Sequence, residues 1–219
     1  MKASSQRRDR ADTTADAVDL TSGRLMRGDT ERNINRLLEA LETFDLNATE
    51  LTMRQLASAA EVSPASAYRY FGSIDGVIDA FRVKVSKTFL DHSKTCGGSG
   101  RQLLESVCAR WIELVRQHGK ALTQLRSREG YLARLAADDA GLVMQRAALM
   151  PALHSTYAEL GIPDIGDEGL FLWSQLFDPR GVMDLAESFD LSADEVTRRL
   201  VSTLLSALQG YASARGDKS

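Results

Sequence analysis

Apolar residues recur at helical spacing along most of this chain, and the breaks between the runs predict a series of separate helices. The clearest case is residues 51–71, LTMRQLASAAEVSPASAYRYF, which indicate two short helices joined by a tight turn. Met53, Leu56 and Ala60 follow the i, i+3, i+7 spacing of one buried helical face. All visible periodicities are helical, so an all-α fold is predicted.

Capping residues define the ends of these two helices. Thr52 is a favoured N-cap residue and Gln55 stands three positions later, which is the spacing of a capping box. Ser63 caps the second helix, and Pro64 occupies its first position, where the missing N–H costs nothing. The turn between the helices is therefore expected at Glu61 and Val62.

Two short helices at this separation fit a helix-turn-helix, whose second helix enters the DNA major groove. The exposed side chains of the second helix are small or polar, and Tyr68 offers a hydroxyl to a phosphate. On spacing alone, Tyr68 and Tyr70 can equally be half-buried packing residues. The candidate DNA-binding residues are Arg32, Thr52, Arg54, Ser63, Ala65, Ser66, Tyr68, Arg69 and Tyr70.

Residues 51–81 resemble the DNA-binding domain of the TetR family of transcriptional repressors, whose pattern is L-T-x-x-x-I-A-x-x-A-G-V-S-x-x-x-x-Y-x-x-F-x-x-K-x-x-L. The matching positions are Leu51, Thr52, Leu56, Ala57, Ala60, Val62, Ser63, Tyr68, Phe71 and Val77. The resemblance extends over about residues 30–85. It implies a three-helix DNA-binding domain followed by a larger helical domain for ligand binding and dimerisation.

Two positions depart from the family pattern. Glu61 replaces the usual glycine of the turn, and a left-handed backbone there would cost a non-glycine residue about 1 kcal/mol. A different turn geometry is the alternative. Ile74 replaces a lysine that normally touches phosphate, so a lower affinity or a weaker salt dependence is expected.

Composition and helix breaks divide the chain into three segments. These are a disordered or loosely docked tail over 1–28, a helix-turn-helix domain over 29–75 and a ligand-binding and dimerisation domain over 76–219. Arg7, Arg8 and Arg10 either form an arm that reaches the minor groove or belong to a solvated tail.

Glycines and prolines punctuate the larger domain. Besides the two-helix motif, seven regular helices are predicted, over residues 30–44, 74–89, 101–118, 120–126, 141–160, 168–177 and 192–211. A short irregular helix is expected within residues 127–141. Gly119 is predicted to end one helix, and Pro151 to kink another. The helix that starts at residue 74 would pack on both domains, which makes it the element able to transmit a shift.

Aromatic and amphipathic side chains of the larger domain are of the kind that line ligand pockets. The candidates are Trp111, Tyr131, Met144, Met150, His154, Tyr157 and Trp173. Each of these residues, taken singly, can also be an ordinary core residue. The sequence therefore leaves both ligand binding and core packing open.

Two apolar segments suggest self-association. Residues 168–177 are apolar nearly all round, and the last helix carries a stripe broader than one neighbour requires. The resemblance implies a four-helix dimer interface, and the candidate residues are Phe171, Phe177, Leu200, Leu204 and Leu208. A monomer in which the two helices complete the core is the alternative.

Composition narrows the function further. The net charge of −3 argues against a protein that coats nucleic acid through bulk charge, so DNA contact needs a local patch. The chain contains no apolar run of membrane-spanning length and no signal-peptide pattern, and its two cysteines form no redox or metal motif. A cytoplasmic protein without a cofactor or a membrane partner is expected.

The predicted function is a ligand-responsive transcriptional regulator, with repression expected. It would bind a palindromic double-stranded DNA operator as a homodimer, and a small apolar or amphipathic effector would release it. A constitutive helix-turn-helix protein without an effector is the first alternative. An all-α enzyme is the second, although His92, His118 and His154 stand on separate segments without a catalytic or metal-ligand pattern.

Overall fold

A computed structural model describes residues 28–44, 51–124 and 129–216, and these ranges contain α-helices without a β-strand. The prediction of an all-α fold is therefore confirmed. The N-terminal tail predicted over 1–28, with Arg7, Arg8 and Arg10, lies almost entirely outside the described residues.

The helices are numbered in chain order. They are α1 (28–41), α2 (Met53–Ala59), α3 (Pro64–Phe71), α4 (Ile74–Ser93), α5 (Gly100–Gln124), α6 (Tyr131–Ala136), α7 (Ala140–Leu160), α8 (Asp167–Leu176), α9 (Pro179–Ser188) and α10 (Ala193–Gly216). The first helix is shorter at its end than predicted, because residues 42 and 43 turn away from the helix.

The described residues form two compact units. The first unit comprises residues 28–43 and 51–74, and the second comprises residue 44 and residues 75–216. The chain passes from the first unit to the second at the start of α4.

A small apolar core holds the first unit together. Leu37 and Leu41 of α1 and Leu56 of α2 have no exposed surface, and Met53 and Ala67 are almost as deeply buried. The remaining faces of α2 and α3 carry polar or small residues, so these two short helices bury one narrow face each and leave the other in solvent.

The second unit is built around α5, which packs against α7, α9 and α10. An aromatic cluster lies beside it, in which Trp111 has its ring centroid 5.3 Å from those of Phe89 and Trp173. Trp173 stacks on Phe177 at 5.6 Å, and the indole N–H of Trp111 donates to the Phe177 carbonyl oxygen at 2.9 Å. These contacts fix α8 against α4 and α5.

Gly119 does not end a helix, contrary to the sequence prediction. The helix α5 runs through it to Gln124, so the separate helix predicted over 120–126 is the continuation of α5. A glycine inside a helix costs about 1 kcal/mol relative to alanine. The buried position explains it, because a Cβ on Gly119 would lie 3.0 Å from the Met183 sulfur of α9.

Tyr157 of α7 and Gly169 of α8 form a contact that tolerates no added methyl group. The Tyr157 hydroxyl is buried without a hydrogen-bond partner among the described residues, and a Cβ on Gly169 would overlap it. We expect Gly169→Ala to lower the free energy of unfolding by about 1–3 kcal/mol through overpacking. Chemical denaturation measures this change.

A double-mutant cycle tests the origin of that cost. In the Tyr157→Phe background the overlapping oxygen is absent, so Gly169→Ala should cost clearly less. Tyr157→Phe alone should be nearly neutral, since it removes an unsatisfied buried hydroxyl. Equal costs of Gly169→Ala in both backgrounds would contradict the contact.

Candidate nucleic-acid interface and open cavity

The capping box that opens α2 is present as predicted. The Thr52 hydroxyl accepts a hydrogen bond from the Gln55 backbone N–H at 3.3 Å, and the Gln55 side-chain oxygen accepts one from the Thr52 backbone N–H at 2.9 Å. The Thr52 hydroxyl also donates to that side-chain oxygen at 2.7 Å. Thr52 therefore fixes the start of α2, and its hydroxyl already has a partner.

The turn between α2 and α3 has a left-handed residue at Glu61, where φ is 54°. The next residue, Val62, donates its backbone N–H to the Ala57 carbonyl at 2.9 Å, which closes the end of α2. A glycine takes this conformation freely, so the glutamate carries the strain of about 1 kcal/mol expected from the sequence.

The helix α3 presents its start and one face to solvent. Ser63 caps it by accepting from the Ser66 backbone N–H at 3.1 Å, and Ala65 is exposed. Tyr68 is 55% exposed, which is high for an aromatic residue, while Ala67 faces the core. An exposed tyrosine on a short polar helix has no packing role, so the hydroxyl is available to a phosphate or a base edge.

Tyr70 has a different position from Tyr68. Its hydroxyl interacts with Asn33 and Thr30 of α1, and it accepts a hydrogen bond from the Arg69 guanidinium at 3.2 Å. These hydrogen bonds, led by the one from Asn33, lower the pKa of Tyr70. Tyr70 therefore links α3 to α1. This position agrees with the alternative from the sequence, in which Tyr70 is a packing residue.

The cationic side chains of the first unit are few. Between residues 28 and 74, the described ranges contain four arginines (Arg32, Arg36, Arg54 and Arg69) and five acids (Asp29, Glu31, Glu39, Glu42 and Glu61), which gives a net charge of −1. The guanidinium of Arg32 pairs with the Asp29 carboxylate at 2.8 Å, whereas Arg54 is exposed on α2. Attraction to phosphate therefore depends on a few local groups, and α2 and α3 supply Arg54 and Arg69.

An open cavity of about 390 Å³ lies in the second unit, and three predicted ligand-binding residues line it: Trp111, Tyr131 and Trp173. Phe171 and Phe177, which were predicted at a dimer interface, also line this cavity. A second cleft of about 490 Å³ lies between α6, α7 and the start of α8, and it is lined by Met150.

The other predicted ligand-binding residues line neither of these two spaces. His154 is exposed, with its imidazole nitrogen 3.2 Å from the Asp164 carboxylate. Tyr157 is packed against Gly169, and Met144 is half-buried. His154 and Tyr157 share a helical face with Met150, but they lie one and two turns further along α7, beside Asp164 and Gly169.

Polar groups complete the wall of the open cavity. Arg82 of α4, Arg134 of α6 and Arg180 of α9 line it together with Glu129 and Asp178. Burial, and then the nearby Arg134, lower the pKa of the Arg82 guanidinium. Arg82 was not predicted from the sequence, because an arginine next to the apolar Phe81 has no signal that separates an inward from an outward position.

The predicted dimer residues separate into two groups. Phe177 is 1% exposed, and Leu204 and Leu208 are fully buried within the single chain. These three belong to the core of the second unit, so the single chain leaves them no exposed surface to support their predicted place at a dimer interface. Phe171 is 38% exposed and Leu200 is half-buried, so both retain accessible surface.

No helix in the described part of the chain is long and apolar enough to cross a membrane. Within the same ranges, His, Cys, Asp and Glu side chains do not gather into a group of three that could hold a metal ion.

Sequence comparison identifies the first unit. The family described as bacterial regulatory proteins, tetR family, matches residues 37–81. This range contains α2 and α3 and the start of α4. No curated protein matches the chain.

Solved structures of similar fold cover most of the chain. A tetR-family transcriptional regulator from Streptomyces coelicolor aligns with a TM-score of 0.55 at 17% identity, over 86% of this chain and 88% of its own. LfrR from Mycobacterium smegmatis, solved in complex with proflavine, aligns with a TM-score of 0.58 at 16% identity, over 80% and 94%. The fatty acid degradation regulator FadR from Bacillus halodurans aligns with a TM-score of 0.59 at 14% identity, over the same shares.

These structural likenesses concern the fold of most of the chain, and the family match concerns its DNA-binding helices. Together with the exposed, capped pair α2 and α3, they agree on one assignment. Residues 37–81 therefore match a DNA-binding helix-turn-helix of the tetR family of bacterial regulatory proteins, and the fold of the chain is similar to that of solved tetR-family transcriptional regulators.

Proposed function

We propose that the protein is a ligand-responsive repressor that binds a palindromic operator as a homodimer and is released by a small apolar or amphipathic molecule. The observation that carries the proposal is the open cavity, whose wall includes Arg82 of α4. The helix α4 begins where the first unit ends. A ligand in the cavity therefore touches the helix that continues directly from the DNA-binding unit.

The cavity supports ligand response over constitutive DNA binding. Its volume of about 390 Å³ falls within the range typical of small-molecule sites. Among proteins of similar fold, LfrR was solved in complex with the small molecule proflavine. A ligand that prefers one arrangement of α4 shifts the population of DNA-binding dimers in proportion to that preference.

The helices α8 and α10 support self-association. They pack against each other, and both leave uncharged residues at the surface. On α10 the uncharged strip consists of Leu200, Thr203, Ala207, Gly210 and Tyr211, and on α8 it includes Phe171 and Leu172. An isologous dimer through these strips would pair two recognition helices, which matches a palindromic site.

Selection of bound DNA from a random pool tests the whole proposal. The expected result is an enriched palindrome whose two half-sites are about one helical turn, or 10 base pairs, apart. Enrichment of a single half-site would contradict dimeric binding, and the absence of any enriched sequence would contradict operator binding.

Arg54 of α2 gives a quantitative test of the DNA face. We expect Arg54→Ala to weaken operator binding and to reduce the slope of log K against log salt by about 1 for each phosphate that the guanidinium neutralises. Tyr68→Phe should weaken binding with little change of that slope, because a hydroxyl releases no counterion. Fluorescence anisotropy over a salt series measures both changes.

Arg101→Ala is the matched control for Arg54→Ala. Arg101 is an exposed arginine of the second unit and pairs with Glu105 at 2.7 Å. Both substitutions remove one positive charge, so the control separates local contact from net charge. An equal effect of both substitutions would contradict the placement of Arg54 at the DNA.

A further inference from the structure

The helix α3 carries one arginine, Arg69, in its last turn. The side chain is exposed. Within the described part of the chain, no carboxylate pairs with its guanidinium, and its hydrogen bond goes to the neutral hydroxyl of Tyr70. The positive charge of Arg69 is therefore available to an anion outside the protein.

The neighbouring Tyr70 holds this guanidinium by two contacts. The guanidinium carbon lies 5.1 Å from the centroid of the Tyr70 ring, which is within the range of a cation–π interaction. The Arg69 Nη2 group also donates to the Tyr70 hydroxyl oxygen at 3.2 Å. The ring face and the hydroxyl together restrict a side chain that otherwise has many rotamers, and four of the five guanidinium donors stay free.

Tyr70 is itself held in place by α1. Its hydroxyl forms side-chain hydrogen bonds with Asn33 and Thr30, in addition to the one from Arg69. Thr30 and Asn33 stand three positions apart and therefore lie on one face of α1. The position of Arg69 thus depends on Tyr70, and the position of Tyr70 depends on α1.

The other arginines of the first unit lack this arrangement. Arg32 pairs with the Asp29 carboxylate at 2.8 Å, so an acid already compensates part of its charge. Arg36 and Arg54 are exposed, and in the described ranges neither has an aromatic ring beneath its guanidinium. Among the described cations of this unit, Arg69 is therefore the one that is both uncompensated and held in place.

A restrained arginine binds an anion more tightly than a mobile one. Immobilising a long side chain costs conformational entropy, and a side chain that is ordered before binding loses less of it. The planar guanidinium fork matches the oxygens of a phosphate. Base edges are read by the first residues of a recognition helix, whereas Arg69 lies in the last turn of α3, so a backbone phosphate is the fitting anion.

We infer that Tyr70 is a positioning residue, which holds the Arg69 guanidinium ready for a backbone phosphate of the bound DNA. The inference rests on the proposed DNA binding, and it adds how a unit with a net charge of −1 strengthens one of its few phosphate contacts. Tyr70 acts through Arg69 and does not itself contact the DNA.

A double-mutant cycle on the full-length protein tests this dependence, with operator affinity measured by fluorescence anisotropy. Arg69→Ala should weaken binding at least about tenfold and reduce the slope of log K against log salt by about 1. Tyr70→Phe keeps the charge but removes the hydroxyl, so it should weaken binding about fivefold with little change of that slope. In the Arg69→Ala background, Tyr70→Phe should change the affinity by less than about twofold.

Two outcomes of the cycle would overturn the inference. An equal loss from Tyr70→Phe in both backgrounds would show that Tyr70 acts without Arg69, either by packing or by touching the DNA itself. An unchanged salt slope for Arg69→Ala would show that the guanidinium neutralises no phosphate.

Arg54 provides the matched control for the cycle. It is the exposed arginine of α2 and does not touch Tyr70 through any contact within the described ranges. Tyr70→Phe should therefore cost the same factor of about five in the Arg54→Ala background as in the wild type. A cost that disappears with Arg54 as it does with Arg69 would mean that Tyr70 supports the whole unit, and the specific link to Arg69 would be lost.

A measurement without DNA decides the point even where a variant folds poorly. Nuclear magnetic resonance relaxation of the arginine Nε–H groups reports how far each side chain moves on the ps–ns timescale. In the wild-type protein, Arg69 should be clearly more restricted than Arg54, and Tyr70→Leu should remove the difference. Equal mobility of the two arginines in the wild type would overturn the inference.

The inference and the proposed function fail separately. A phosphate contact does not depend on sequence, so the same cycle can be run on a random-sequence duplex at low salt. A protein that selects a palindrome but shows equal losses from Tyr70→Phe in both backgrounds keeps the proposed function and loses the positioning role. A protein that shows the coupling on the random duplex but selects no palindrome keeps the positioning role and loses the proposed function.

Discussion

Leu204→Arg should unfold the second unit instead of releasing a folded monomer. Leu204 is fully buried on α10, which packs against α5 and α8. An uncompensated charge in such a position costs about 3–5 kcal/mol, a large part of the roughly 5–15 kcal/mol that stabilises a typical domain. Thermal unfolding followed by circular dichroism should show a much lower midpoint or no cooperative transition. A folded variant with the wild-type midpoint would contradict the burial of Leu204.

The adjacent position is the control. Thr203 precedes Leu204 and is exposed on the uncharged strip of α10. We expect Thr203→Arg to keep the wild-type melting temperature and to be monomeric in light scattering, because the two-fold axis would bring two new charges together. A dimer that survives this substitution would place the interface on another surface.

Ala65→Asp should abolish operator binding without loss of stability. Ala65 is exposed in the first turn of α3, where a carboxylate interacts favourably with the helix dipole. The same carboxylate would face DNA phosphates, and such like-charge contacts cost several kcal/mol, which is a loss of affinity of at least about 100-fold. Fluorescence anisotropy with the selected operator measures the loss.

Ala140→Asp provides the matched control. Ala140 is an exposed alanine in the first turn of α7, in the second unit, and its substitution adds the same charge to the chain. Operator affinity should stay within about twofold of the wild type, since one distant charge is screened at physiological salt. Unchanged affinity for Ala65→Asp itself would remove the start of α3 from the DNA-binding surface.

The elements that the sequence located best are those with local signals. Thr52 with Gln55, Ser63 with Pro64, and the turn at Glu61 all lie where the pattern predicted them. Each depends on hydrogen bonds or backbone angles within three or four residues, so a short stretch of sequence is enough to predict it. Gly119 shows the limit, because the helix continues through it and packs there against Met183 of a distant helix.

The candidate site residues show the same difference between local signals and contacts with distant residues. The spacing predicted Tyr68 and Arg54 as exposed, and the structure leaves both in solvent, whereas Tyr70 is held by partners on α1. For the ligand cavity, the choice of aromatic residues found Trp111 and Trp173, but helical spacing alone could not exclude the positions on α7 that face elsewhere.

The sequence by itself determined the helices, their caps and the two-helix motif, because these follow from contacts between residues close in the chain. Only the tertiary structure decided that Leu204 is enclosed by its own chain and that Arg82 reaches a cavity. The spacing of apolar residues indicates that one face of a helix is apolar. Which residues cover that face depends on helices that are distant in the sequence. Burial is therefore a property of the assembled helices, and so are the charge and shape of the cavity between them.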